Sequence, residues 1–345
     1  MDTTQREGRA TFPGLPLFSM AAIVIVFIGI HLASGIIGPV FLAIVLSIML
    51  SPARNFLVHK KWPRPIATGV VFTLTISILL VGVWTFYLMA TELIELLPTY
   101  EAAFTDLIES TRSFMINAGI NIDAVELLKQ SLNFEDIKNL LTGMLSGLAS
   151  LVTAIIFLVS LLLFMSLDAD GVISKLLALK DHHATMRGSF IQFAGSTRKF
   201  LVVTTIFGAG IALLDVLVLY IMGIPLPWLW GLLAFATNFI PNIGFVIGLV
   251  PPALLALLGH DFTAMVVLIV TYSVINIVFQ SLLQPKVVGQ AVGMNLTISF
   301  LSLIVWAWIL GPIGAVLAVP LTLFVLSLTF SDPEKYSWAR VFVDP

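Results

Sequence analysis

The sequence has no cysteine and very little charge. Only 10% of its 345 residues are Asp, Glu, Lys or Arg, while 59% are hydrophobic. The missing thiols exclude disulfides, thiolate metal sites and a cysteine nucleophile. The missing charge excludes more: an ordinary soluble domain is about 25% charged, enough to cover its surface with ionisable groups. This chain cannot do so, and its mean hydropathy of +1.07 points to lipid as its main solvent. The 17 basic and 19 acidic residues leave a formal net charge of −2, so the strongly basic face that a nucleic-acid partner requires is lacking as well.

The side-chain sets that catalysis needs are also missing from the apolar runs. There are no paired carboxylates, no serine beside a base, no His-Glu-x-x-His pair and no Gly-x-x-x-x-Gly-Lys to cradle phosphates. The expectation is a protein that is not an enzyme, takes no cofactor and holds no metal; His182-His183 sits in a polar loop without further ligands.

What charge there is falls in clusters. None lies between Arg9 and Arg54, between Arg64 and Glu92, or between Lys138 and Asp168. Asp215 is alone between Phe200 and His260, and Lys286 is alone between Phe262 and Ser331. About 20 apolar residues in a helix cross a hydrocarbon core of about 30 Å, and a backbone there must satisfy its own hydrogen bonds. This predicts an all-α, polytopic transmembrane bundle with six full spans: Leu17–Ile37, Pro39–Leu57, Ile66–Ala90, Ser146–Leu167, Phe200–Met222 and Thr263–Leu283. Basic loops stay inside. Arg54, Lys60, Lys61 and Arg64 therefore place the second turn and both termini in the cytoplasm. The acidic stretch Thr91–Leu145 then lies outside, as one or two amphipathic helices or a solvated connector, and Thr185–Lys199 forms a shorter cytoplasmic helix leading into the fifth span.

Two further apolar segments are too long for one crossing, and both are interrupted. One breaks at Ile240-Pro241-Asn242-Ile243-Gly244 and the other at Leu310-Gly311-Pro312-Ile313-Gly314. Proline removes a donor and glycine permits a reversal. The breaks form a weak internal repeat: Asn242-Ile243-Gly244 through Val250-Pro251 parallels Pro312-Ile313-Gly314 through Val319-Pro320, with one residue of slippage. Paired broken segments mark the binding site of many secondary transporters. Read as re-entrant hairpins, residues 226–258 and 298–330 enter from opposite faces and meet near the midplane. Read as kinked spans, they give eight ordinary helices.

At these residues the chain resembles the autoinducer-2 exporter family of bacterial membrane transporters. The likeness rests on Asn238-Phe239-Ile240-Pro241-Asn242-Ile243-Gly244, on Gln284-Pro285-Lys286-Val287-Val288-Gly289, and on Gly311-Pro312-Ile313-Gly314 through Pro320-Leu321. The resemblance implies a multi-pass protein of the bacterial inner membrane. It implies export of a small polar solute like autoinducer-2 or, in other members, sodium–proton exchange. It also implies a homo-oligomer, with a five-fold ring expected, and an elevator movement of the hairpins. On that reading residues 1–90 are a three-helix frame, 91–145 an external insert, 146–199 the fourth span and its loop, 200–330 the transport unit and 331–345 a cytoplasmic tail. Met294-Asn295-Leu296 stands where relatives often have a proline.

Several polar residues interrupt the apolar runs. Asp215 in mid-span is read as a proton or cation site, or as a structural carboxylate. Asn238 and Asn242 flank the first tip, as solute ligands or as caps. Asn276, Gln280 and Gln284 recur every four residues, one stripe facing either the hairpins or a neighbouring helix. The candidate solute-binding set is Asn238, Pro241, Asn242, Gly244, Asn276, Gln280, Gly311, Pro312 and Gly314. Asp215 is the candidate for ion coupling, and Gln284, Pro285, Gly289 and Pro320 are structural. His31 is expected to pack rather than ligate, and Trp228, Trp230, Trp306 and Trp308 to serve as interface aromatics. Lipid, a small solute or ion, and further copies of the chain are the expected partners; a non-transporting membrane scaffold is the reading of another class.

Overall fold

The computed structural model describes residues 15–118, 134–177, 184–241, 243–288 and 294–329. Among these residues every regular element is a helix. Helices α1 (Leu15–Leu32), α2 (Ser34–His59) and α3 (Arg64–Leu96) lead through a 3-10 turn at Leu97–Tyr100 into α4 (Glu101–Asn117). Next come α5 (Phe134–Leu177), α6 (Ala184–Met222), α7 (Pro227–Thr237) and α8 (Gly244–Gly259). Helix α9 (Phe262–Asn276) runs through a π-helical stretch, Ile277–Leu283, into α10 (Gln284–Val288), and α11 (Leu296–Val316) and α12 (Ala318–Thr329) close the chain.

Five of the described helices are long and apolar enough to cross a membrane. Their outer faces are greasy: Leu32, Ile221, Ile25 and Trp84 are 81%, 77%, 68% and 62% exposed. Exposure of that kind suits lipid, which removes the penalty water would impose.

Two boundaries differ from the sequence reading. The first turn falls at Ala33, whose carbonyl accepts from Ile36 and Ile37, not at Gly38-Pro39. Proline is tolerated near a helix start, where amides lack partners in any case, so Pro39 is absorbed into the early part of α2. The helix that carries the fourth span begins at Phe134, because the end of the acidic insert continues without a break into α5. Residues 185–199 are helical and lead into the fifth span, as the first turns of α6. No proline interrupts either junction.

The two interrupted segments both reverse direction. In the first, α7 and α8 pack antiparallel, and a Cβ on Gly248 would stand 3.1 Å from the Ala234 Cα. At about 1.5 Å per residue, α7 and α8 are about 16 and 24 Å long, each short of a full core. In the second, the chain folds at Gly311, where φ is 65° and ψ is −148°, a backbone region that glycine alone occupies readily. Ser302 Oγ then donates to the Ala318 carbonyl at 2.9 Å and lies 2.6 Å from Thr322 Oγ1. Trp306 Nε1 donates to the same Thr322 hydroxyl at 3.0 Å. These cross-links make residues 296–310 and 312–329 two arms of one hairpin.

Among the described residues four apolar clusters hold the bundle. Hairpin one is wedged among α3, α6 and α9 through Leu93, Leu219, Trp230, Leu249, Leu268 and Tyr272. Hairpin two meets α2 and α6 through Phe41, Phe193, Ile309, Leu310 and Leu317, where Phe41, Phe193 and Phe324 form a ring triad with centroids 5.3 to 6.4 Å apart. Ala43, Leu158 and Leu162 join α2 to α5. Ile240, at the first tip, packs against the hairpin-two cluster of Leu303, Ala315 and Ala318.

Candidate functional site

The first hairpin begins at a sharp corner after α6. Gly223 and Leu226 have φ of 70° and 58°, and Trp230 Nε1 pins the corner by donating to the Pro225 carbonyl at 3.0 Å. The corner turns α7 back along α6 and brings the residue that caps its C-terminus, Asn238, over the middle of that helix. A Cβ on Gly208 would fall 2.5 Å from Asn238 Nδ2, so this approach needs a residue without a side chain. Asn238 Nδ2 donates to the Thr204 carbonyl at 3.1 Å, and Gln280 Nε2 donates to Asn238 Oδ1 at 2.7 Å. Gln284 Nε2 reaches Thr204 Oγ1 at 3.4 Å. One asparagine thus ties the tip to both α6 and the π stretch.

The tie depends on the π-helical turn. A regular helix advances about 100° per residue, and one extra residue in a π turn shifts everything after it. Gln280 lies within the π stretch and Gln284 directly after it, so both amides point at α6 and the tip.

Beneath these amides is a narrow cleft of about 250 Å³, counting its open mouth. Its polar lining is Asp215 from α6, Asn238 at the end of α7, Tyr272 and Asn276 from α9, and Gln280 from the π stretch; Gly244, Phe245 and Gly248 of α8 form the opposite wall. Asp215 is 2% exposed. Among the described residues its Oδ1 has no hydrogen-bond partner, and the Tyr272 hydroxyl donates to its backbone carbonyl at 3.3 Å rather than to the carboxyl group. Asn276 Nδ2 donates to the Tyr272 carbonyl at 3.1 Å, which leaves its Oδ1 as a further acceptor. An isolated carboxylate in a dry interior is costly; a proton or a small cation relieves the cost, and carboxylate and amide oxygens are hard donors that suit one.

The cleft gathers Asn238, Gly244, Asn276, Gln280 and Asp215 from the sequence-derived set, but not the second tip. Gly311, Pro312 and Gly314 do not line it. Gly314 is buried between its own arms, where a Cβ would collide with the Trp306 carbonyl oxygen. Gly311 makes the turn and Pro312 is exposed. Pro241 lies in the connecting turn, with its carbonyl accepting from Ile243 at 2.7 Å. Gln284 opens α10, with Pro285 next to it, and Pro320 is buried in α12. Asn242, Gly289 and His182-His183 lie outside the described residues. Tyr272 and Thr204 were missed, although Tyr272 extends the polar stripe by one more step of four.

The expected roles of the other singled-out side chains also have places. His31 stacks on Trp308, centroids 5.4 Å apart, and its Nδ1 donates to the Ile309 carbonyl at 3.1 Å. Asn295 caps α11: its Oδ1 accepts from the Ile298 amide at 2.8 Å. Among the described residues no group of three or more His, Asp or Glu gathers where a metal would bind.

Apolar helices in this number, with two folded helical hairpins, define a multi-pass α-helical membrane protein. A family model described as AI-2E family transporter matches residues 20–329, and the chain belongs to that family of transport proteins. It is 29% identical to the AI-2 transport protein TqsA of Escherichia coli K12, over 91% of this chain and 92% of that protein. It is 28% identical to the putative transport protein YhhT of the same organism, over 89% of this chain and 87% of that one. A sodium-lithium/proton antiporter of Halobacillus andaensis is 23% identical over 81% of this chain and 85% of its own length.

Proposed function

We propose that the protein is a secondary transporter of the bacterial inner membrane that exports a small polar solute of the autoinducer-2 kind. The observation that supports this best is the cleft where the tip of one hairpin, a π-distorted helix and a buried carboxyl with a free oxygen converge. Asn238, Asn276 and Gln280 offer both donors and acceptors to hydroxyl and carbonyl groups, and the closed cleft has space for about one water. It must therefore widen to admit a solute. The transport unit is residues 200–330, moving as an elevator with both hairpins re-entrant and the termini cytoplasmic. Residues 1–90 form the frame, and a homo-oligomer, a pentamer on the family pattern, holds it.

Sodium–proton exchange is a second reading, favoured by Asp215: a single buried carboxyl is the minimum equipment for alternating between a proton and an alkali cation. One experiment addresses both. Purified protein in liposomes is assayed for autoinducer-2, sodium and proton flux, with Gln280→Leu and Asp215→Asn alongside. Solute flux lost in Gln280→Leu supports the first reading; cation-coupled proton flux lost only in Asp215→Asn supports the second. No flux of any of the three in the parent protein overturns both.

A further inference from the structure

A second cleft, sharing no residue with the first, opens where α2 ends and α3 begins. It encloses about 1120 Å³, counting its mouth. Arg54 and His59 of α2 and Arg64 of α3 line it, and Asn55 and Thr68 add uncharged polar groups. Lys60 and Lys61 lie in the turn beside it, and no acidic residue occurs anywhere between positions 10 and 91. The chemistry is that of a phosphate receptor, since guanidinium groups match phosphate oxygens in pairs.

The rest of the lining decides whose phosphate. Val58, Phe72 and Leu163 of α5 make an apolar wall that a soluble anion has no use for. Pro65, Thr68, Gly69 and Phe72 form one face of α3, spaced at three and four residues. The adjoining face carries Ile66, Val70 and Leu74, which are 52%, 42% and 60% exposed. The cleft therefore borders directly on a stripe that faces hydrocarbon, and an acyl chain can lie along that border. Gly69 keeps the space open: a Cβ there meets nothing within 4 Å. We propose that this cleft binds an anionic phospholipid, its phosphate against Arg54 and its acyl chain along the wall of Phe72 and Leu163. Basic pockets between spans on the cytoplasmic side recognise such headgroups, each cation contributing about 1 kcal/mol near the surface, about fivefold in affinity.

The full-length protein in dodecyl maltoside is titrated with dioleoyl phosphatidylglycerol, with dioleoyl phosphatidylcholine and with inorganic phosphate, reading Tm and bound lipid by native mass spectrometry. The expected result is a saturable rise in Tm with phosphatidylglycerol alone, weakened about fivefold in Arg54→Gln and abolished in Gly69→Leu. The second variant fills the cleft without touching a charge, and leucine favours the helix over glycine, so it remains informative where the first fails to fold. An equal rise with phosphatidylcholine overturns the proposal. So does reproduction of the effect by inorganic phosphate, which would make the ligand a soluble anion, or titrations of both variants that match the parent's.

Discussion

Gly244 and Gly314 hold equivalent places in the two hairpins, three and two residues after a proline, and each sits against a carbonyl oxygen of the opposite arm, that of Thr237 or of Trp306. A methyl group at either site must push the arms apart. Gly244→Ala and Gly314→Ala should each destabilise the protein by about 1–3 kcal/mol, read as a fall in Tm. Gly82→Ala, on a stretch of α3 with nothing within 4 Å of the added carbon, should leave Tm level or raise it, because alanine favours a helix interior. The sequence displayed both glycines as part of a repeated motif, but not their reason, which is contact between residues the fold brings together. Asp215 was legible because one acid in an apolar run stands out. Tyr272 was not, because a tyrosine in an apolar helix has the same pattern as core. Removing the carboxylate's charge in Asp215→Asn should slow any cation-coupled flux about tenfold or more, the scale of losing one interaction with a charged group.

The π stretch at Ile277–Leu283 gives a test at the scale of an element. Deleting Val278, which is exposed at 37%, removes the extra residue, restores α-helical register and turns Gln284 about 100° relative to α9. The expected outcome is a folded protein, by circular dichroism and gel filtration, that has lost solute flux. In hairpin two the polar clasp is the comparable element: Thr322→Val leaves the Trp306 indole without its acceptor, which should cost about 1–3 kcal/mol as a lower Tm. Helix positions followed from the gaps in charge, and the two reversals from paired glycine and proline. The π turn had no visible cause in composition, and the long continuity of α5 was hidden because an acidic stretch reads as a loop whether or not the backbone stays helical. The capping asparagine at 295 likewise became interpretable only once α11 was seen to start beside it.

For the whole molecule, the proposed elevator requires the hairpins to shift against α2, and the chain offers a direct check. A Cβ on Gly38 would stand 3.7 Å from Ile313 Cβ, close to the roughly 3.8 Å of a disulfide, and the natural chain has no other thiol. Oxidised Gly38→Cys/Ile313→Cys should show no flux and recover it on reduction; unaltered flux in the oxidised form rules the movement out. The all-α, membrane-spanning character of the fold could be read from the chain alone, whereas the packing of α2 on hairpin two could not, since both present long apolar surfaces with no feature that pairs them. That same packing has a mechanical meaning. Where Phe41 and Val45 meet Ile309, Leu310, Leu317 and Leu321, shear trades one methyl neighbour for another, and dispersion has no preferred direction. In the proposed elevator this line would serve as a greased bearing, and the His31 imidazole on the Ile309 carbonyl as a detent that gives the slide a position of rest.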